Sequence, residues 1–170
     1  MKNANKVTMG GDPVTIIGEE ITVGAQAPDF TVLNSDLGPV TLADAKGKTV
    51  IISVVPSIDT SVCAEQTRRF NKEASKLKDT TIYTISVDLP FALGRFCAAE
   101  GIDNIQVLSD HKNLDFGMKY GFVIEEHRLL TRGIVIINPE GKVEYVEYVD
   151  EVTTHPDYDK ALDVAKKISE

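Results

Sequence analysis

Two hydrophobic patterns alternate along the chain. Continuous β-branched runs, "TVIISVV" at 49–55 and "TTIYTISVD" at 80–88, read as strands buried on both faces. Other segments carry apolar residues three or four apart and read as helices. In 61–77, Cys63, Phe70, Ala74 and Leu77 fall near one stripe. In 90–101, Leu93, Phe96 and Cys97 form another, with Pro90 in the first turn and Gly101 as the stop. A closing segment, 156–170, has Leu162, Ala165 and Ile168 on its inner face.

Turn chemistry places the rest. Gly10, Gly11 and Asp12 separate "KVTM" (6–9) from "PVTII" (13–17), which predicts an N-terminal hairpin over about 6–17. "DFTVLN" (29–34) reads as a strand, and 38–48 as a short strand, a helical turn and a glycine stop. "NIQVLSD" (104–110) reads as a short strand and 113–121 as a short helix. The stretch 132–149 reads as a second hairpin turning at Asn138-Pro139-Glu140-Gly141. Strands alternating with helices require crossovers, so 49–55 and 80–88 should be parallel neighbours. The expectation is an α/β fold: one mixed central sheet flanked by helices, in a single domain over 1–170.

Composition narrows the function classes. The 170 residues are 42% hydrophobic and 26% charged, with net charge −8. That balance suits a soluble globular chain, with disorder expected at most in the first few residues. The negative charge argues against nucleic acid or an anionic membrane surface as partner. The longest apolar run falls far short of the roughly 20 residues a membrane span needs. No secretory signal is visible at the N-terminus, so a cytoplasmic location is expected, where disulfides are usually transient.

The chemistry centres on "PSIDTSVCAEQ" at 56–66. Asp59, Thr60 and Ser61 are all N-cap types. Cys63 therefore lies in the first turn of a helix, near free N–H groups and the positive end of the helix dipole. Both favour thiolate over thiol. Asp59 and Glu65 would oppose this if they pointed inward, and Arg68 and Arg69 lie too far along the helix to help. A cation from elsewhere is needed. Arg132 is the candidate, because period-two alternation puts it on one face with Ile134 and Ile136. Alternatives stand beside this reading. Cys63 and Cys97 could be core residues, a disulfide or metal ligands, and Arg132 could be a strand-end arginine reaching to solvent. No CxxC occurs, and His111, His127 and His155 lack metal-ligand spacing, so no metal is expected.

"PSIDTSVCAEQTRRFN", "SVDLPFALGRFCAAEG" and "VDEVTTHPDYDKALDVAKK" together resemble the thiol peroxidase subgroup of the peroxiredoxin family, the atypical two-cysteine enzymes. The likeness runs along nearly the whole chain, the N-terminal hairpin included. It implies a thioredoxin-like fold with Cys63 as the peroxidatic cysteine. Thr60 and Arg132 would activate the thiolate and position the peroxide, Pro56 would shape the pocket, and Cys97 would be the resolving cysteine in the same chain. The activity implied is reduction of hydrogen peroxide and organic hydroperoxides through a sulfenic acid and an intrachain disulfide. Thioredoxin would be the reductant, a homodimer the assembly, and no cofactor is required. Two other functions compete: a thioredoxin-like disulfide carrier, and a non-enzymatic binding domain with core cysteines.

Overall fold

Gly10 and Gly11 adopt φ of 62° and 88°, the left-handed region a two-residue hairpin turn demands. They join β1 (Lys2–Met9) to β2 (Asp12–Ile17), with Met9 opposite Asp12. The computed structural model describes residues 2–169, with side chains from 7 to 169. The hairpin is as expected, although β1 starts earlier than the alternation suggested. It does not stand alone. β2 pairs with β8 (Val123–Ile124), and β8 with β9 (Leu129–Leu130), in a small antiparallel sheet.

The larger sheet contains β3 (Thr31–Leu33), β4 (Pro39–Thr41), β5 (Thr49–Val54), β6 (Thr80–Ser86), β7 (Gln106–Ser109), β10 (Gly133–Ile137) and β11 (Val143–Tyr148). Its order is β11-β10-β5-β6-β7-β3-β4. The β5/β6 and β6/β7 pairs are parallel and the others antiparallel. The mixed sheet and the parallel central pair match the sequence expectation. All six residues of β5 are buried, as a strand covered on both faces must be.

Helices α1 (Ser61–Ala74), α2 (Pro90–Glu100), α3 (Asp115–Tyr120) and α4 (Tyr158–Ser169) cover the sheet. Phe70 of α1 and Leu162 and Ala165 of α4 pack on Ile51, Ile134 and Ile136. On the other face, Phe116 and Tyr120 of α3 join Phe30, Val50, Ile52, Val54 and Phe122. α1 ends at Ala74 rather than 77, and β7 and α3 are shorter than their sequence segments. Gly101, at φ 67°, caps α2 as expected. Glu170, the last residue of the segment expected to be helical, lies outside the described residues.

Candidate active site

β5 and α1 are joined by 55–60, and this loop is held from below. Ser57 Oγ donates to Asp88 Oδ1 at 2.7 Å, and Ile58 N to Asp88 Oδ2 at 2.9 Å. Ser86 Oγ donates to Oδ2 as well, at 2.7 Å. One carboxylate thus ties the approach to α1 to the loop that leads into α2. Pro56 is buried at the end of β5. Thr60 is the N-cap residue by backbone, with φ −97°, and its carbonyl accepts from Ala64 N at 3.0 Å. Its hydroxyl makes no cap bond and donates instead to the Ser57 carbonyl at 3.2 Å. Cys63 is the third helical residue and has no exposed surface.

Arg132 reaches this sulfur from the strand side. It is 2% exposed, and the second residue on, Ile134, lies on the α1 face of the sheet. Nη2 donates to Cys63 Sγ at 3.1 Å, Nη1 to Gln66 Oε1 at 2.9 Å, and Nε to the Val152 carbonyl at 2.7 Å. None of these acceptors is a carboxylate, so the guanidinium charge is left facing the sulfur. The sulfur is thus the acceptor for one guanidinium N–H of a fully charged side chain. The arginine predicted as a partner, and the alternation used to place it, are both as the sequence suggested. The solvent-reaching alternative for Arg132 is not what the structure shows.

The neighbouring charges turn away. Glu65 is 54% exposed and pairs with His155 Nε2 at 3.2 Å. Asp59 is exposed. Arg68 pairs with Glu100 at 3.3 Å and Arg69 with Asp159 at 3.2 Å. Tyr158, whose ring lies under the Arg69 guanidinium at 5.0 Å, holds His155 Nδ1 with its hydroxyl at 2.8 Å. Burial pushes that phenol up to about 12, against the pull of Arg132 and Arg69, so it stays protonated.

Cys97 stands on α2, half-buried, and burial pushes its thiol up. Both cysteines are free. They nonetheless share one small apolar cluster, with Val55, Ile58, Leu93, Ile102 and Val107. The structure therefore brings Cys63 and Arg132 into direct contact. It sets Pro56 and Thr60 on the loop before the sulfur, and Cys97 on a second helix against the same cluster. Among the described residues no group of three or more His, Cys, Asp and Glu gathers as a metal site. No described helix is long and apolar enough to cross a membrane.

Three contributors escaped the sequence reading. Gln66 is fully buried and passes a hydrogen bond from its Nε2 to Ser53 Oγ at 2.8 Å. Thr67 Oγ1 donates to the Cys63 carbonyl at 2.8 Å. Val152 contributes only a carbonyl. The first two carried a signal, since Gln66 and Thr67 lie three and four residues after Cys63 on the same helical face. The carbonyl carried none.

A buried cysteine at a helix start, bonded by an arginine over a thioredoxin-like mixed sheet, is the arrangement of a class of thiol-based redox proteins. The sequence model of the Redoxin family matches residues 22–162, and the chain belongs to that family. Within it the chain falls in the thiol peroxidase subgroup of the peroxiredoxins. It is 55% identical to a thiol peroxidase of Bacillus subtilis over 163 residues, covering 96% of this chain and 98% of the other. It is 57% identical to one of Oceanobacillus iheyensis over 158 residues, covering 93% and 96%. Among solved structures, a peroxiredoxin-like protein from Aquifex aeolicus superimposes with a TM-score of 0.91 at 38% identity, over 98% of this chain and 99% of that one.

Proposed function

We propose that the chain is a thiol-dependent peroxidase in which Cys63 is the peroxidatic residue. The observation that carries this is the 3.1 Å bond from a buried Arg132, which among the described residues pairs with no carboxylate, to a buried Cys63 sulfur at a helix start. The thiolate attacks one oxygen of a hydroperoxide along the O–O bond. That bond breaks, the leaving oxygen departs with the electron pair and takes a proton, and water or an alcohol is released. Cys63 becomes sulfenic acid. Arg132 is placed to stabilise the charge that develops on the leaving oxygen, as donors in an oxyanion site do. Thr60 and Pro56 complete the pocket wall in this reading. The full burial of Cys63 means that the loop before α1 must open slightly for the oxidant to arrive.

Cys97 then attacks the sulfenic sulfur, water leaves, and an intrachain disulfide forms. A dithiol reductant of the thioredoxin type exchanges with it and restores both thiols. Family membership supports that reductant, and hydrogen peroxide and organic hydroperoxides as substrates. Exposed Leu89 and Phe91, 57% and 67% accessible at the start of α2, support a homodimer that covers them. Catalysis through free thiols supports a reducing compartment such as the cytoplasm. The continuity of the Redoxin match supports one domain over 1–170.

The test is peroxide turnover with thioredoxin and its reductase, for the native chain and Cys63→Ser, with dimedone trapping in Cys97→Ser. Loss of turnover in Cys63→Ser, and a trapped sulfenic acid on Cys63 alone, are expected. Undiminished turnover without the Cys63 sulfur would overturn the assignment.

A further inference from the structure

The segment 149–154 grips Arg132 twice. Val149 N donates to the Arg132 carbonyl at 3.0 Å, and the Val152 carbonyl accepts from Arg132 Nε at 2.7 Å. This strap is short, exposed along much of its length and turns at Val152 and Thr153. On its own it would hold the guanidinium loosely. It is fastened from outside by the N-terminal hairpin. Thr8 N donates to the Asp150 carbonyl at 2.8 Å, and Val152 N donates to the Thr8 carbonyl at 2.8 Å. Thr8 and Glu151 form a parallel bridge between these bonds.

The Glu151 side chain completes the fastening. Its carboxylate accepts from Thr8 Oγ1 at 2.8 Å, Gly11 N at 2.8 Å and Gly10 N at 3.1 Å on the hairpin. From the strap itself it accepts from Thr153 N at 2.8 Å and Thr153 Oγ1 at 2.7 Å. We infer that Glu151 is a positioning residue for the reaction: it locks the hairpin turn onto the strap whose Val152 carbonyl aims Arg132 at Cys63. The inference rests on the reading of Cys63 and Arg132 given above. It also gives the N-terminal hairpin a task beyond extending the small sheet. The two positive-φ glycines of the turn both aim their N–H groups at this carboxylate. The Thr153, Gly11 and Thr8 donors hold the Glu151 carboxyl well below the usual carboxylate range, so the fastening is intact throughout the neutral region.

The test uses the full chain in a Cys97→Ser background, so that Cys63 alone is followed. The rate of oxidation by hydrogen peroxide and the pH profile of thiolate absorbance are measured for Glu151→Ala, Arg132→Ala and the double variant. Glu151→Ala is expected to slow oxidation by roughly ten- to a hundredfold, up to the scale of a reacting geometry misplaced by about 1 Å, and to move the profile to higher pH. Arg132→Ala should do the same more strongly. Adding Glu151→Ala to Arg132→Ala should cost nothing further, because Glu151 acts through the arginine. Additive losses, or a silent Glu151→Ala beside a damaged Arg132→Ala, would overturn the inference alone. A silent Arg132→Ala would take down the site reading and this inference together. Should circular dichroism show Glu151→Ala unfolded, Glu151→Gln carries the comparison. It keeps the volume and one acceptor oxygen, and its rate should lie between those of the native chain and Arg132→Ala.

Discussion

At the scale of single residues, what matters is how the charge of Arg132 is divided. Gln66 takes one guanidinium N–H with a neutral oxygen and anchors itself on Ser53. A glutamate there would compensate the charge and leave less for the sulfur. Gln66→Ala instead strips a buried donor and a buried hydroxyl of their partner at once. The expected cost is about 1–3 kcal/mol of unfolding free energy, read from urea denaturation, and a value near zero would mean that the relay is ornamental. The opposite sign is expected beside it. Thr84 lies level with Ser53 across the β5/β6 pair, and its buried hydroxyl has no partner among the described residues. Thr84→Val keeps the shape and removes an unsatisfied polar atom, so the chain should gain about 1 kcal/mol. Destabilisation would show that the hydroxyl is satisfied in solution. Cys63, and Arg132 as its partner, were legible in the sequence because helix caps and strand alternation are local rules. Gln66 was legible in principle. Val152 was not, since any residue type supplies a carbonyl and only the tertiary fold chooses which.

At the scale of elements, punctuation explains what could be read. Pro90 and Gly101 bound α2, and the β-branched runs bound β5 and β6, so these came out nearly whole. β8 and β9 are two residues each, too short to show any period, and the small sheet they build with the hairpin was invisible for that reason. The approach to α3 hides a cost. Asp110 is 2% exposed and accepts from Phe116 N at 3.1 Å and Gly117 N at 2.8 Å at the helix start. Burial nevertheless pushes its carboxyl up to about 6, outweighing those donors. The folded value lies above the unfolded one, so the folded chain holds this proton more tightly. The associated stability is whole below about pH 4 and is lost as the pH rises towards 6, a change of up to about 3 kcal/mol. Asp110→Asn cannot lose it. Unfolding free energies measured on both sides of that window should shift in favour of the variant as pH rises, and parallel pH dependences would refute the assignment.

At the scale of the whole molecule, the two cysteines pose a conflict between chain entropy and packing. A disulfide between Cys63 and Cys97 would close a loop worth about 3–4 kcal/mol in the chain-entropy model, if the native fold accepted it without strain. Each cysteine, however, is built into its own helix, and Cys63 is fully buried with Arg132 on its sulfur. A disulfide needs Cα atoms within about 7 Å and Cβ atoms turned towards each other. Their common apolar cluster makes the journey short, but joining the sulfurs still removes the Arg132 bond and asks the first turn of α1 or the body of α2 to unwind. Burial holds the Cys97 thiol above its usual range, so in the proposed cycle a loosening of α2 would favour its thiolate. In the proposed cycle, the oxidised chain should therefore gain far less than the entropy term alone. Its unfolding free energy should exceed that of the reduced chain by clearly under about 3 kcal/mol. Amide protection should fall in 61–67 and 90–100 while β5, β6 and β10 keep theirs. An oxidised chain more stable by the full loop term, with both helices equally protected, would show that the disulfide forms on the framework seen here without rearrangement.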